Sequence, residues 1–185
     1  MGILGDSLDS AAAANFTRPI PKSAQAQMKF LVKQEKGSTM AVAQLLGVSQ
    51  RTVERYLKGQ LKQPRKDFAA RLAGEVRKRW QPRVRDKAKK QAATTGGIVI
   101  ETRARFGYTA APGTTDDGRL RLITQSLPPA YAARLFDAQA AGATEQQLRD
   151  IAAEGLQEIY FKDRGRRALD LQVEFTDIDY VELDY

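Results

Sequence analysis

The sequence contains neither cysteine nor histidine. That excludes disulfides, Cys/His zinc sites, Cys–His and Ser–His nucleophile pairs, and imidazole acid–base chemistry. Catalysis by the chain alone would fall to carboxylates, Lys, Ser, Thr or Tyr, so the expectation is a protein that is not an enzyme. Aromatics make up only 8% of the residues, with one tryptophan, Trp80. No apolar run approaches the roughly 20 residues needed to span a bilayer. The N-terminus shows no basic stretch followed by an apolar segment, so no secretory signal is readable. It begins MGILGD, with Asp6 where the myristoylation pattern takes Ser or Thr. The expected setting is intracellular, with no membrane partner.

Positive charge is abundant. The formal net charge is +8, unevenly spread. Residues 1–27 are neutral, residues 28–106 hold 20 Lys/Arg against 6 Asp/Glu, and residues 107–185 hold 8 against 14. A basic block of that density is the electrostatic footprint of a polyanion partner, most often nucleic acid.

Periodicity and breakers predict the elements. Residues 1–23 read as a short amphipathic helix followed by the extended connector TRPIPKS, with two prolines against helix. A helix opens at the candidate cap Ser23, and further helices cover 39–46 and 50–58. A longer helical pattern over 66–92 is interrupted at Pro82. Segments 97–108 and 119–126 read as an antiparallel strand pair joined by 109–118. Two helices follow, the second opening on the capping-box spacing of Thr144 and Gln147. The acidic tail LQVEFTDIDYVELDY alternates as one or two short strands. The fold class is therefore α+β: a helical N-terminal domain, then a small α+β domain with a β-hairpin, two helices and a C-terminal strand. The predicted divisions are 1–23, 24–92 and 93–185.

The clearest motif is TMAVAQLLGVSQRTVERYLKGQ, residues 39–60. A helix-turn-helix needs a small residue where its helices cross, a glycine in the turn and apolar residues between the helices. Ala43, Gly47 and the set Val42, Leu46, Val48, Val53 and Tyr56 supply these. Ser49 is a natural N-cap for the second helix. In a major groove, Gln50, Arg51 and Arg55 are the candidates for base edges, Arg on guanine and Gln on adenine. Lys58, Lys62, Arg65 and Lys66 would mostly touch phosphate, and Thr52 either.

A second basic segment, RLAGEVRKRWQPRVRDKAKKQ, spans 71–91. Arg77, Lys78, Arg79, Arg83 and Arg85 around Trp80 suit a surface that tracks a nucleic-acid backbone, with Trp80 stacking on an unpaired base. Trp80 packing its helix onto the first domain is the other reading.

The connection AAPGTTDDG has two readings as well. Pro, Gly and Asp-Gly are common turn chemistry. Equally, Thr114 and Thr115 beside Gly113 present hydroxyls that could accept a phosphoryl or nucleotidyl group, with Asp116 and Asp117 orienting the hydroxyl or helping to hold a metal. Nothing in the loop supplies a two-metal site for attack on a nucleotide, so the chain would be acceptor and not catalyst.

In NFTRPIPKSAQAQMKFLVKQEKGST, VAQLLGVSQRTVERYLKGQL, EVRKRWQP and TTGGIVIETRARFGYTAAPGTTDD, in that order, the chain resembles the terminal proteins that cap linear actinomycete chromosomes and plasmids. The likeness runs over nearly the whole length. It implies a protein primer joined covalently to 5′ DNA ends, whose threonine hydroxyl accepts the first deoxynucleotide from a DNA polymerase. The priming hydroxyl carries over onto Thr114, with Thr115 as the neighbouring fallback. The implied partners are telomeric DNA (a 3′ single-stranded overhang and the duplex end), the polymerase and a telomere-binding recruiting protein. No cofactor is intrinsic; Mg2+ and dNTP come through the polymerase. The implied setting is the bacterial cytoplasm, on the nucleoid. The alternative is a helix-turn-helix regulator or nucleoid protein with a C-terminal oligomerisation domain.

Overall fold

Apolar residues at helical spacing build one core, and helical spacing combined with strand alternation builds a second. The computed structural model describes residues 2–109, 120–162 and 172–185. The chain resolves into two compact units: Thr17–Pro82, and a second made of Met1–Phe16 together with Arg83–Tyr185. It is an α+β protein, with six helices in the N-terminal part and strands with two helices after them.

In the first unit, α2 (Ala24–Gln34), α3 (Thr39–Leu46), α4 (Gln50–Leu57) and α5 (Lys66–Arg79) surround a core that includes Met28, Leu31, Val42, Leu46, Val53, Tyr56, Phe68, Leu72 and Val76. Three of these helices start on serine. The side chains of Ser23, Ser38 and Ser49 accept from the backbone N–H of Ala26, Ala41 and Thr52, donors that a first helical turn leaves unpaired. The chain leaves α3 through Gly47, whose φ of 63° and ψ of 42° lie in the left-handed region. The long pattern over 66–92 ends at Trp80. Gln81, before Pro82, takes a φ of 43°. Its Oε1 accepts from the N–H and hydroxyl of Thr17, and its Nε2 donates to the Arg18 carbonyl. Those bonds hold a backbone shape that a non-glycine residue seldom takes.

The second unit contains α1 (Ile3–Ala14), α6 (Pro82–Gln91), β1 (Ile98–Thr109), β2 (Leu120–Leu127), α7 (Pro129–Ala140), α8 (Glu145–Leu156) and β3 (Gln172–Asp184), with single π-helical turns at Ala92–Gly96 and Gln157–Phe161. The sheet is antiparallel, in the order β2-β1-β3. β1 alternates: Ile98, Ile100, Thr102, Ala104 and Phe106 are buried, while Val99, Arg103 and Arg105 are exposed. Leu4, Leu8, Leu135, Leu148 and Leu156 from the helices complete that core.

Two divisions differ from the sequence expectation. The N-terminal helix, read as a separate leading piece, shares a core with the strands. Leu4 and Leu8 have no exposed surface, and the Leu183 N–H donates to Ser7 Oγ. Helix α6, read as an extension of the DNA-binding part, clusters with the second unit. The tail is a single strand, and two register shifts against β1 absorb its broken alternation. Near them, Thr176 donates its hydroxyl to the Arg105 carbonyl, and Asp179 pairs with Arg103 at 3.2 Å.

Among the described residues, no helix is long and apolar enough to cross a membrane.

Candidate nucleic-acid interface

Unit Thr17–Pro82 holds 15 Lys/Arg and 4 Asp/Glu, a net +11, which leaves −3 for the rest of the chain. Most of the positive block thus lies in one compact unit, and residues 83–106 of the other unit carry the rest, 7 Lys/Arg against 2 Asp/Glu. Within Thr17–Pro82, the packing of α4 decides which side chains are offered outward. Val53 and Tyr56 turn into the core, so Gln50, Arg51, Arg55 and Lys58 stand exposed. Residues 51, 55 and 58 lie about one turn apart along one strip. Lys62, Arg65 and Lys66 follow, also exposed.

Ser49 and Thr52 are engaged locally. Ser49 Oγ accepts from the Thr52 N–H at 3.2 Å, and the two hydroxyls lie 2.9 Å apart. Gln50 Nε2 donates to Thr39 Oγ1 at 3.0 Å and to Glu54 Oε1 at 3.1 Å.

The second basic segment is less available than its composition implied. Arg79 is paired with Glu75 and lies 3.9 Å from Glu35, while Lys78 pairs with Glu75 at 3.1 Å. Burial alone would raise the Glu75 carboxyl; the bonds from Arg79 and Lys78 outweigh it and hold the group below its ordinary value. Trp80 donates its indole N–H to the Arg18 carbonyl at 3.1 Å, and its ring stands edge-on to Phe30 at 4.9 Å. Of the two readings of Trp80, these contacts favour packing. Arg77 is exposed on α5. Arg83 and Arg85 belong to the other unit, where Arg85 lies 5.9 Å from the Phe16 ring centroid.

Sequence reading overlooked one set of cations. Lys29, Lys33 and Lys36, at the same helical spacing as the α4 strip, are all exposed on or just after α2. Their spacing is legible in the sequence.

Thr114, Thr115, Asp116 and Asp117 lie outside the described residues. Elsewhere most hydroxyls are committed. Ser23, Ser38, Ser49 and Thr144 cap helices; Thr94, Thr95, Thr102 and Thr176 donate to backbone carbonyls. Tyr131 donates to Glu158 and Tyr180 to Glu101. Among the described residues, no group of carboxylates is placed to hold a metal ion. An open groove of about 730 Å3 beside α1 has Asp6, Glu101, Glu182 and Asp184 in its lining, a sign of charge opposed to phosphate.

No family model, curated protein or solved structure matches this chain.

Proposed function

We propose that the protein is a terminal protein of linear DNA, gripping the DNA end through Thr17–Pro82 and offering a threonine hydroxyl as primer. The observation that carries the DNA half is the exposed strip Gln50, Arg51, Arg55 and Lys58 on α4, in a unit of net charge +11. On this reading α3 and α4 form a helix-turn-helix and α4 enters the major groove. Lys62, Arg65 and Lys66 then neutralise phosphates.

The priming half rests on the sequence likeness through PGTTDD. Thr114 Oγ, with Thr115 as fallback, attacks the α-phosphorus of a deoxynucleoside triphosphate. A P–O bond to the protein forms, the bond from the α-phosphorus to the bridging oxygen breaks, and pyrophosphate leaves. The hydroxyl proton passes to a base in the polymerase site. A threonine hydroxyl is a weak nucleophile, so activation falls to the metals of the polymerase. The chain itself acts as acceptor.

The test combines protein, a polymerase-containing extract, end-sequence template and labelled deoxynucleotide. Label is expected on the protein and is expected to vanish in the Thr114→Val, Thr115→Val double variant. Undiminished labelling of that variant would remove the assignment. Thr124, Ser126 and Tyr160, whose hydroxyls have no hydrogen bond among the described residues, are then the next acceptors to examine by mass spectrometry.

A regulator or nucleoid protein that self-associates through its second unit is the competing reading. It is favoured by the outer sheet face, where Val99, Leu120 and Leu122 are exposed. It predicts a concentration-dependent dimer and no nucleotide on protein purified from its host.

A further inference from the structure

We infer that Glu54, aimed by Gln50, is the residue through which α4 selects cytosine in a duplex. The inference rests on α4 entering a major groove.

The Gln50 amide sits between Thr39 Oγ1 and Glu54 Oε1, at 3.0 and 3.1 Å. A carboxylate only accepts, so the amide nitrogen and not its oxygen must face Glu54. That settles the orientation by chemistry. One amide proton ties Gln50 to the first turn of α3, and the other holds Glu54. Gln50 therefore has no N–H left to complete the paired contact with adenine N6 and N7 that its residue type suggested. What remains on this part of α4 is acceptor capacity: Gln50 Oε1 and the remaining lone pairs of Glu54.

The other acids of the unit have structural work. Glu75 pairs with Lys78 and Arg79, Glu35 lies by Arg79, and Asp67 sits in the first turn of α5, where the helix dipole favours negative charge. Glu54 has no ion pair among the described residues, although Arg51, Arg55 and Lys58 lie within about one turn of it. A carboxylate on the helix that faces a polyanion opposes binding in general. It gains a favourable contact only where a base presents a hydrogen-bond donor.

Four base edges can be compared. Guanine presents the acceptors N7 and O6, and thymine the acceptor O4. Adenine sets the acceptor N7 beside its amino group. Cytosine presents its N4 amino group alone. Cytosine is the edge that an acceptor-only surface matches without repulsion. Arg51 and Arg55 suit the guanine acceptors of the same or a neighbouring pair.

The experiment selects duplexes from a randomised library with the full-length protein and then measures their affinities by fluorescence anisotropy across a salt series. Selected duplexes should share a C·G pair. Changing it to T·A should weaken wild-type binding roughly tenfold, the scale of one base contact. Glu54→Gln should bind DNA more tightly overall, having lost a negative charge, and should lose the preference for cytosine at that position. Gln50→Leu should blunt the same preference while leaving the salt slope unchanged. If wild type binds duplex with a steep salt slope but Glu54→Gln selects the same sequences, this inference is overturned and the α4 reading stands. If wild type shows no salt-dependent duplex binding, the α4 reading fails and takes this inference with it.

Discussion

Gly47 and Gly97 both take positive φ, 63° and 74°, yet they differ in what a side chain would meet. A Cβ on Gly47 would touch nothing within 4 Å, whereas one on Gly97 would lie 2.2 Å from the Leu127 carbonyl oxygen. Gly97 also has a ψ of −160°, in a region that is essentially glycine-only. Gly97→Ala should therefore cost about 2 kcal/mol or more in urea unfolding, by backbone strain plus a clash with main chain. Gly47→Asn should cost under about 1 kcal/mol, since Asn tolerates the left-handed region. A Gly97→Ala loss no larger than that of Gly47→Asn would show that a small backbone shift relieves the clash with the Leu127 carbonyl.

Tyr131 provides a pH-dependent prediction at the same scale. Burial, then the hydrogen bond it donates to Glu158, raises its phenol well above the ordinary value. A group whose folded pKa is raised contributes stability that is fully present below its unfolded pKa, about 10 for tyrosine, and is lost as pH rises through the folded value. Stability followed by chemical denaturation should thus decline from about pH 10 upward. In Tyr131→Phe that decline should be shallower.

At the scale of elements, α4 begins where Ser49 accepts from the Thr52 N–H. Ser49→Ala should destabilise the Thr17–Pro82 unit by about 1 kcal/mol, and Ser49→Asp should restore most of it, because Asp also caps. Denaturation followed at Trp80, which lies in this unit, measures both. If Ser49 also contacts DNA, Ser49→Asp will keep the stability and lose affinity.

That cap was readable in advance, as were the turn at Gly47, the exposed strip on α4, the capping box at Thr144 and the strand pair β1–β2. Each depends on residues a few positions apart, where spacing and backbone chemistry decide the outcome. What escaped reading depends on partners distant in sequence. Nothing local to α1 says that Ser7 will meet Leu183, or that Leu4 and Leu8 will enter the core of the strands. The amphipathic pattern revealed a buried face without revealing its partner. Arg79 looked like a nucleic-acid contact because composition counts it as free, and composition left Trp80 open between stacking and packing. Their engagement with Arg18, Phe30, Glu75 and Glu35 is tertiary. The bond from Gln50 to Thr39 likewise crosses the turn between two helices.

For the whole molecule, the decisive fact is that one unit interrupts the other. The Thr17–Pro82 unit is continuous and has its own core, while the second unit needs a segment from each side of it. Residues 1–16 supply Leu4 and Leu8, both without exposed surface, and Ala11. They also supply Ser7, which satisfies the Leu183 N–H, and the Leu4 N–H that donates to Glu145 at 2.9 Å. Fully burying a leucine contributes roughly 1.5–3 kcal/mol. Two leucines, with two hydrogen bonds at about 1 kcal/mol each, make the loss on the order of 5 kcal/mol. That equals much of a typical domain's stability. Deleting residues 1–16 should therefore unfold the strand-containing unit while the first unit stays folded. The chain's one tryptophan makes the two separable. Trp80 fluorescence should keep a cooperative transition in the deletion variant at nearly the wild-type midpoint. Far-ultraviolet circular dichroism should lose the sheet contribution before any denaturant is added. On the function proposed above, salt-dependent binding to duplex DNA should survive, because the α4 strip lies in the unit that remains. A shift of the Trp80 transition by the full amount would mean that the two units unfold as one.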